Sequence, residues 1–346
     1  MTERLQGLSK QAVRVLVTDP MDGLVERIGR DPLAPLRSRA EVIVLKNTHS
    51  EDLQGLKAAL SDSVALLCVL TDRIDAALIS TARRLQIISS VSVGVDHIDL
   101  AAASAQGIPV TNTPGVLVET TAELTLALLL SVTRRVAEGD RAIRAGGWTQ
   151  ANRWQIDGYL GRDLSGSTLG ILGLGPIGRA VAARARAFGL NILGWSRSDR
   201  EVPGVVRASL EQVLADSDFL SLHVASTPET RHLIDAVALR QMKPGAILIN
   251  TARGDVVDEL ALVEALQSGR VAGAGLDVFA QEPLPVDHPL LEMSSVVLTP
   301  HVGSATAATR MRMVDLAVAN VTAVLDGGRP LNCVNPQVWG GASTKV

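Results

Sequence analysis

One stretch of the chain, Thr168–Gly178, constrains the fold more than any other, because an apolar run leads into three closely spaced glycines. The residues that follow, Ala180–Phe188, predict a helix. In this order, Gly173 permits a tight turn, Gly175 lets the backbone approach a ligand, and Gly178 lets the helix pack closely on the strand. The helix N-terminus presents unpaired N–H groups to an anion. The stretch predicts a site for the pyrophosphate of a dinucleotide; the alternative is a Gly-rich turn that binds no nucleotide.

Apolar runs alternate with helical stretches through both halves of the chain, the pattern of parallel strands connected by helices. The first half has five predicted strands, Val13–Thr18, Val42–Leu45, Val64–Leu70, Gln86–Val91 and Pro109–Asn112. The second half has six, Leu169–Leu172, Asn191–Trp195, Asp218–Val224, Ala246–Asn250, Ala272–Asp277 and Val296–Thr299. Helices are predicted at Ser50–Leu60, with Ser50 as N-cap, and at Ser304–Asp326. The sequence therefore predicts an α/β fold with two doubly wound parallel sheets.

A long helix is predicted between the two halves, from about Glu119 to Ala145, where two glycines end it. Its middle, Leu124–Leu130, is apolar on nearly all sides. A helix of this kind is buried, either in the core of its own chain or against a partner. A subunit interface is favoured, and the core helix stays open as the alternative.

The bulk composition argues against nucleic-acid and membrane partners. The formal net charge is −3 and aromatic residues make up 2%, whereas nucleic-acid binders need a clustered basic face or stacking platforms. No apolar run is long enough to span a bilayer, and residues 1–11 lack the apolar core of a secretion signal. We therefore expect a cytoplasmic protein. The two cysteines, Cys68 and Cys333, are expected to be inert thiols, and no spacing predicts a metal site.

Three polar side chains follow predicted strands of the second half. Arg253 comes after Ala246–Asn250, Glu282 after the strand that ends near Asp277, and His301 after Val296–Thr299. Ligands of doubly wound sheets bind beyond the carboxyl ends of the strands, so these side chains are expected to face one crevice with the glycine turn.

The three residue types suit the reduction of a 2-keto acid. A histidine can donate a proton to the developing alkoxide, and an adjacent carboxylate would favour the imidazolium. An arginine fork binds a carboxylate in two places. Taken singly, an arginine after a strand is more often in a surface ion pair, a glutamate before proline is usually a solvated loop residue, and a lone histidine is more often structural than catalytic. Their joint placement favours catalysis. His223 is equally consistent with a core histidine and with a residue beside the nucleotide.

At these residues the chain resembles the D-isomer-specific 2-hydroxyacid dehydrogenases over almost its whole length. The resemblance lies in seven ordered blocks: Val93-Gly-Val-Asp-His-Ile-Asp99, Thr111-Asn-Thr-Pro-Gly-Val116, the Gly173 turn, Asn250-Thr-Ala-Arg-Gly-Asp255, Gly275-Leu-Asp-Val-Phe279, Glu282-Pro283 and Pro300-His-Val-Gly303. Within the family, the chain is most similar to the glyoxylate/hydroxypyruvate reductases, on the blocks Thr111–Gly115, Arg134-Arg135 and Trp195-Ser-Arg-Ser198.

The resemblance implies a flavodoxin-like substrate domain of residues 1–100 and 304–346, a Rossmann cofactor domain of residues 101–303, and a cleft between them. It also implies a homodimer that uses the long helix at 119–145. Arg253 would hold the substrate carboxylate and carbonyl. His301 would be the general acid in reduction and the base in oxidation, with Glu282 tuning it.

The resemblance implies the remaining binding residues as well. The backbone around Val93 and Gly94 would contact the substrate carboxylate. The cofactor-binding residues would be Gly173, Gly175, Pro176, Ile177 and Gly178 at the pyrophosphate, and Thr251, Ala252 and Asp277 near the nicotinamide.

One departure from the NAD fingerprint bears on the choice of cofactor. An acidic residue is expected about 20 residues past the glycine turn, where it binds the ribose hydroxyls. This chain has Ser196, Arg197 and Ser198 there instead. An arginine with two hydroxyls suits a 2′-phosphate, so NADP(H) is favoured over NAD(H). The alternative is that Asp199 takes the place of the acidic residue and leaves Arg197 in solvent.

The favoured function is the reduction of a small 2-keto acid, such as glyoxylate or hydroxypyruvate, to the D-2-hydroxy acid with NADPH. The related formate dehydrogenases are expected to have glutamine in place of Glu282, so a hydroxy-acid substrate is favoured over formate. Two alternatives stay open: a D-3-phosphoglycerate dehydrogenase, and a non-catalytic corepressor that senses a dinucleotide.

Overall fold

The computed structural model describes residues 13–45, 53–198 and 201–339. The chain forms two α/β units, one of Met1–Leu117 with Ala305–Val346 and one of Val118–Ser304. All strands in both sheets pair in parallel. This confirms the predicted fold class of two parallel-sheet α/β domains. The proposed N-cap Ser50 lies outside the described residues.

The described residues form the following strands and α-helices. The strands are β1 Arg14–Val17, β2 Glu41–Val44, β3 Ala65–Cys68, β4 Ile87–Ser90, β5 Val110–Thr111, β6 Thr168–Leu172, β7 Asn191–Trp195, β8 Val206–Arg207, β9 Phe219–Leu222, β10 Ala246–Asn250, β11 Val271–Leu276 and β12 Val296–Leu298. The helices are α1 Asp22–Ile28, α2 Ala34–Arg37, α3 Leu53–Ser61, α4 Ala76–Thr81, α5 Leu100–Ala105, α6 Val118–Thr133, α7 Val136–Arg144, α8 Pro176–Ala187, α9 Leu210–Asp216, α10 Ala236–Gln241, α11 Glu259–Gln267 and α12 Ala307–Leu325.

The sheet of the first unit has the strand order β2-β1-β3-β4-β5, the flavodoxin-like order 2-1-3-4-5. β3 and β4 are buried along their whole lengths, as expected for central strands covered by helices on both faces. The sequence predicts a domain boundary after residue 100, but β5 pairs with β4 in the first sheet. The first unit therefore extends to Leu117, and its C-terminal part begins at Ala305.

The sheet of the second unit has the order β12-β11-β10-β9-β6-β7-β8. Counted within the unit, this is the Rossmann order 3-2-1-4-5-6 with one further strand at the β12 edge. The order reverses beside β6, where the glycine turn follows. The sequence predicts six strands here and misses β8, because two residues at a sheet edge produce no alternating pattern.

The predicted single helix at 119–145 is two helices, α6 and α7, separated at Arg134 and Arg135. Arg135 adopts φ = 54°, and this left-handed conformation ends a helical path. α6 packs against strands of its own sheet, and its buried side chains include Leu126, Leu128 and Leu129. Much of the apolar middle of α6 is therefore core, as in the alternative interpretation, and a subunit interface on this helix stays a prediction. None of the described helices combines the length and the apolar character needed to cross a bilayer.

Candidate active site

The three glycines after β6 differ in what an added Cβ atom would meet. Gly173 has φ = 101°, and an added Cβ would overlap the backbone of His223. At Gly178, which is buried in the first turn of α8, a Cβ would overlap the carbonyl oxygen of Gly173. At Gly175 a Cβ would meet nothing within 4 Å. Gly173 and Gly178 thus shape the turn, whereas Gly175 leaves open space in front of the helix N-terminus.

This open space belongs to a cavity of about 640 Å³. The side chains and backbone that line it are those of Gly173, Leu174, Gly175, Pro176, Arg179, Trp195, Ser196, Arg197, Ser198, His223, Val224, Ala225 and Thr230. Gly175 is the N-cap of α8, and Pro176 is its first residue, so the helix presents its unpaired N–H groups to the cavity. A cradle with these donors and an arginine on its rim fits a dinucleotide phosphate.

Arg207 lies on β8, the strand that the sequence did not predict, and it holds the Ser196–Ser198 turn through hydrogen bonds to its backbone. Its guanidinium donates to the carbonyl oxygen of Ser198 at 2.6 Å and to that of Ser196 at 3.2 Å. The hydroxyl of Ser196 also donates to the Ser198 carbonyl at 2.9 Å. The turn is therefore fixed, while Arg197 and Ser198 remain exposed. Asp199, the alternative ribose ligand, lies outside the described residues.

His223 lies at the end of β9, on the wall of the cavity. Its Nε2 is 2.8 Å from the hydroxyl oxygen of Ser221. Burial lowers the pKa of His223 to about 4, so the imidazole is neutral at neutral pH. The structure combines both interpretations of this residue, since the ring is hydrogen-bonded inside the unit and borders the cavity.

His301 and Glu282 form a hydrogen-bonded pair after the strands β12 and β11. The Nδ1 atom of His301 lies 2.7 Å from the Oε2 atom of Glu282, and the two side chains are 24% and 32% exposed. The N–H of Phe279 donates to the other carboxylate oxygen at 3.0 Å. Burial raises the pKa of Glu282, but the hydrogen bonds and the charges of His301 and Arg253 outweigh it and the pKa is lowered. Glu282 is therefore an anion facing the imidazole.

Asp277 holds the turn that bears His301. Its carboxylate, 1% exposed, accepts hydrogen bonds from the Thr299 hydroxyl at 2.6 Å and from the N–H groups of Val302 and Gly303, both at 2.8 Å. His301 has φ = 52°, a strained value that such a network can maintain. Burial is the largest influence and raises the pKa of Asp277 despite these hydrogen bonds. A contact between Asp277 and the cofactor stays a prediction.

Arg253 follows β10 and its backbone is fixed by neighbouring groups. The side-chain amide of Asn250 donates to the carbonyl oxygen of Arg253 at 2.8 Å. The next residue must be glycine, because a Cβ on Gly254 would overlap the backbone of Phe279. The charge of Arg253 is one of the causes that lower the pKa of Glu282.

The predicted residues fall into two places. The second unit contains Arg253, Glu282, His301 and all predicted cofactor residues, whereas Val93 and Gly94 follow β4 in the first unit. Thr251 is buried, with its hydroxyl 2.9 Å from that of Thr125, and Ala252 donates its N–H to Asn250 Oδ1 at 3.0 Å.

Sequence reasoning missed Arg207 and Thr299. Nothing in the sequence identifies Arg207, which acts on the Ser196–Ser198 turn through a strand of two residues. Thr299 could have been identified from the sequence, because it lies two residues before the candidate catalytic residue His301.

The open space at Gly175 leads to a prediction. Gly175→Ala is expected to change the free energy of unfolding by no more than about 0.5 kcal/mol and to weaken dinucleotide binding ~10-fold or more, equivalent to about 1.4 kcal/mol. Fluorescence titration with NADPH and thermal unfolding measure the two effects.

Two further glycines provide the comparison. Gly173→Ala should lower stability by roughly 1–3 kcal/mol or more, since the backbone conformation and the clash both oppose a Cβ. Gly139 lies on α7 with open space around it, so Gly139→Ala should lower neither the free energy of unfolding nor the affinity for NADPH. Unaltered NADPH affinity in Gly175→Ala would contradict the assignment of this turn to the phosphates.

Residues 126–303 match the family described as "D-isomer specific 2-hydroxyacid dehydrogenase, NAD binding domain". A glyoxylate reductase of Korarchaeum cryptofilum is 50% identical over 310 residues, which cover 88% of this chain and 93% of that protein.

Two solved structures are also similar. The TT0316 protein of Thermus thermophilus superposes with a TM-score of 0.85 and 47% identity, covering 93% of this chain and all of that one, 100%. An NADPH-dependent glyoxylate/hydroxypyruvate reductase of Sinorhizobium meliloti, in complex with NADP and malonate, has a TM-score of 0.81 and 34% identity, covering 94% of this chain and 97% of that one.

Proposed function

The chain belongs to the family of D-isomer specific 2-hydroxyacid dehydrogenases and is an oxidoreductase, and on this basis we propose that it reduces a small 2-keto acid to the D-2-hydroxy acid. Glyoxylate and hydroxypyruvate are the proposed substrates. The observation that supports this best is the ionised Glu282 at 2.7 Å from His301, within the electrostatic influence of Arg253. A proton donor and a carboxylate-binding cation are the two groups that this reaction needs from the protein.

The hydrogen bond between His301 and Glu282 determines which nitrogen reacts. Nδ1 faces the carboxylate at 2.7 Å, so Nε2 is the atom left to face the substrate carbonyl. The Glu282 carboxylate orients the ring through Nδ1, and the protonated ring would donate its Nε2 proton to the oxygen of the substrate as that oxygen gains charge. The neutral ring then keeps its Nδ1 proton toward Glu282, and in oxidation the same Nε2 accepts the proton.

Arg253 is proposed to bind the substrate. The Arg253 guanidinium would form a two-point contact with the carboxylate and carbonyl oxygens, which orients the keto acid and polarises the carbonyl. The N–H groups of Val93 and Gly94 are the proposed additional donors to the carboxylate. A reduced nicotinamide cofactor, when bound, supplies the hydride.

The experiment that tests the function mixes the protein and NADPH with each of a panel of 2-keto acids. We expect the absorbance of the reduced cofactor to fall with glyoxylate or hydroxypyruvate, and chiral chromatography to identify D-glycerate from the latter. Absence of turnover over the whole panel, with NADPH bound, would refute the proposal.

The proposed cofactor is NADP(H) rather than NAD(H). Arg197 and Ser198 are exposed on the cavity rim in a turn that Arg207 fixes, and the S. meliloti relative was solved with NADP. Charge-assisted hydrogen bonds contribute about 1.5–3 kcal/mol each. We therefore expect Arg197→Ala to lower kcat/KM for NADPH ~10–100-fold and to leave that for NADH within about twofold.

Arg207→Ala provides a separate check of the Ser196–Ser198 turn, because the Arg207 guanidinium binds the backbone carbonyl groups of this turn. It is expected to raise KM for NADPH with little effect on kcat. Equal losses with both cofactors in Arg197→Ala, or a wild-type preference for NADH, would favour NAD(H).

We propose a homodimer as well, with a surface that includes the C-terminal part of the predicted helix at 119–145 and the residues after it. Of the 16 large apolar residues that are exposed in the described part of the chain, seven lie between residues 136 and 160. They are Val136, Ile143, Trp148, Trp154, Ile156, Tyr159 and Leu160. A concentration of this kind is typical of a protein–protein interface. The surface thus comprises α7 and the segment after it.

Sedimentation or light scattering tests the dimer. We expect the wild type at twice the chain mass and a Trp154→Glu/Ile156→Glu double variant at the monomer mass, because two charges would be buried in the interface. Leu331→Glu, at another exposed apolar position, serves as the control and should leave the mass unchanged. A monomeric wild type would refute the dimer.

A further inference from the structure

The block Thr111–Val116 marks the family resemblance but has no role in the proposed chemistry. In the structure, Asn112 and Thr113 follow β5 and reach the turn after β4. The side-chain amide of Asn112 donates to the carbonyl oxygen of Val93 at 2.7 Å. The N–H and the hydroxyl of Thr113 donate to the carbonyl oxygen of Ser92 at 2.8 Å and 3.0 Å. Two successive carbonyl groups of the turn are thus held by neighbouring donors.

The next carbonyl of the turn, that of Gly94, is held by a chain of hydroxyls. The Ser92 hydroxyl donates to it at 2.6 Å. Because this carbonyl can only accept, the Ser90 hydroxyl, 2.6 Å from that of Ser92, must donate to Ser92. Ser90 in turn accepts from Nε2 of His97, at 3.0 Å. The directions of all three hydrogen bonds follow from the single acceptor at their end.

Holding the carbonyl groups fixes the direction of the amide groups. In a trans peptide, the C=O and the following N–H point in opposite directions. The bond from Thr113 to Ser92 therefore directs the N–H of Val93, and the bond from Asn112 to Val93 directs the N–H of Gly94. Neither of these two N–H groups has a hydrogen-bond partner within the described part of the chain, and both residues are partly exposed.

We infer that Asn112 is a positioning residue for the substrate carboxylate, which acts by aiming the N–H of Gly94 away from the interior of the first unit. This rests on the proposed function, since it assigns the ligand of that N–H as a 2-keto acid carboxylate. A donor that is aimed before binding binds an anion more tightly, because no further ordering is required when the ligand arrives. Asn112 itself touches neither the substrate nor the cofactor in this assignment.

Two substitutions separate aiming from folding. Asn112→Ala removes the donor and is expected to raise KM for glyoxylate about tenfold, with kcat and the dissociation constant of NADPH within twofold. Asn112→Asp keeps the shape but places an anionic acceptor against the carbonyl oxygen of Val93, so it should raise KM further. Binding of oxamate, a carboxylate without a reducible ketone, should weaken in parallel when measured by calorimetry in the presence of NADPH.

Asn191→Ala is the matched control, because the side chain of Asn191 also donates to a backbone carbonyl, that of Gly166 at 3.2 Å, far along the chain. It should change none of these quantities by more than twofold. Unchanged KM and oxamate affinity in both Asn112 variants overturn the inference, and so does a joint fall of kcat, NADPH affinity and melting temperature, which indicates a merely structural residue.

The inference and the proposed function fail differently. A wild-type protein that reduces 2-keto acids, with Asn112 variants that match it, refutes the inference alone. A wild-type protein that binds NADPH but neither reduces any 2-keto acid nor binds oxamate refutes the proposed function, and the assignment of Asn112 with it.

Discussion

His301→Gln is expected to lower kcat for keto-acid reduction ~10²–10⁴-fold, the contribution of a positioned general acid. Glutamine can still donate a hydrogen bond to Glu282, but it has no proton to transfer to the alkoxide. KM for the keto acid and the dissociation constant of NADPH should change little, since neither the guanidinium of Arg253 nor the glycine turn is altered. Steady-state kinetics and fluorescence titration measure these quantities.

The chain contains a matched control for this substitution. His288 forms a second histidine–carboxylate pair, with its Nε2 at 3.2 Å from Oε1 of Glu259, at a position where no substrate group is proposed. His288→Gln should keep kcat within about threefold, because it lacks a role in proton transfer. Equal losses in the two variants would mean that His301 acts through folding, and an active His301→Gln would exclude it as the proton donor.

Arg253→Ala is the second substitution with a large expected effect, a fall in kcat/KM of roughly 10²–10⁴. Two charge-assisted hydrogen bonds to the substrate contribute about 1.5–3 kcal/mol each, and each 1.4 kcal/mol corresponds to about a tenfold change. Arg253→Lys keeps the charge without the planar fork, so it should recover only part of the loss. Binding of NADPH should stay within about twofold, because Arg253 does not line the cavity at the glycine turn.

An arginine of the same unit with no proposed role serves as the control. Arg240 is exposed at the end of α10. Its replacement by alanine removes one positive charge from the unit, as Arg253→Ala does. Arg240→Ala should leave kcat/KM within about twofold. If Arg253→Ala behaved in the same way, the substrate would be bound by other groups and the proposed mechanism would be wrong.

Much of the fold follows from local pattern. β7 and β10 have the bounds that the alternation of apolar runs predicts. The glycine turn lies between β6 and α8, where Gly173 and Gly178 have no room for a Cβ. Side chains that come directly after parallel strands lie at the same edge of the sheet, because the carboxyl ends of those strands meet there. Arg253, Glu282 and His301 could be proposed together on that ground.

Contacts across long sequence separations could not be predicted in the same way. The break between α6 and α7 depends on one backbone conformation, at Arg135. The burial of Asp277 and its three hydrogen bonds to the His301 turn require β11 and β12 to be neighbours, which strand patterns alone do not establish. The same holds for Arg207, whose partners lie in the Ser196–Ser198 turn that follows the adjacent strand β7.

The sequence by itself therefore determined the α/β class, the glycine turn and the identity of the candidate catalytic side chains, because these depend on residue type, spacing and position relative to a strand. Only the tertiary structure decided that Glu282 accepts from Nδ1 of His301, that Asp277 supports the turn beneath it, and that Asn112 holds the carbonyl of Val93. The physical reason is that a hydrogen bond is directional and acts over about 3 Å. Its partners are chosen by the packing of whole strands and helices, and no local pattern specifies that packing.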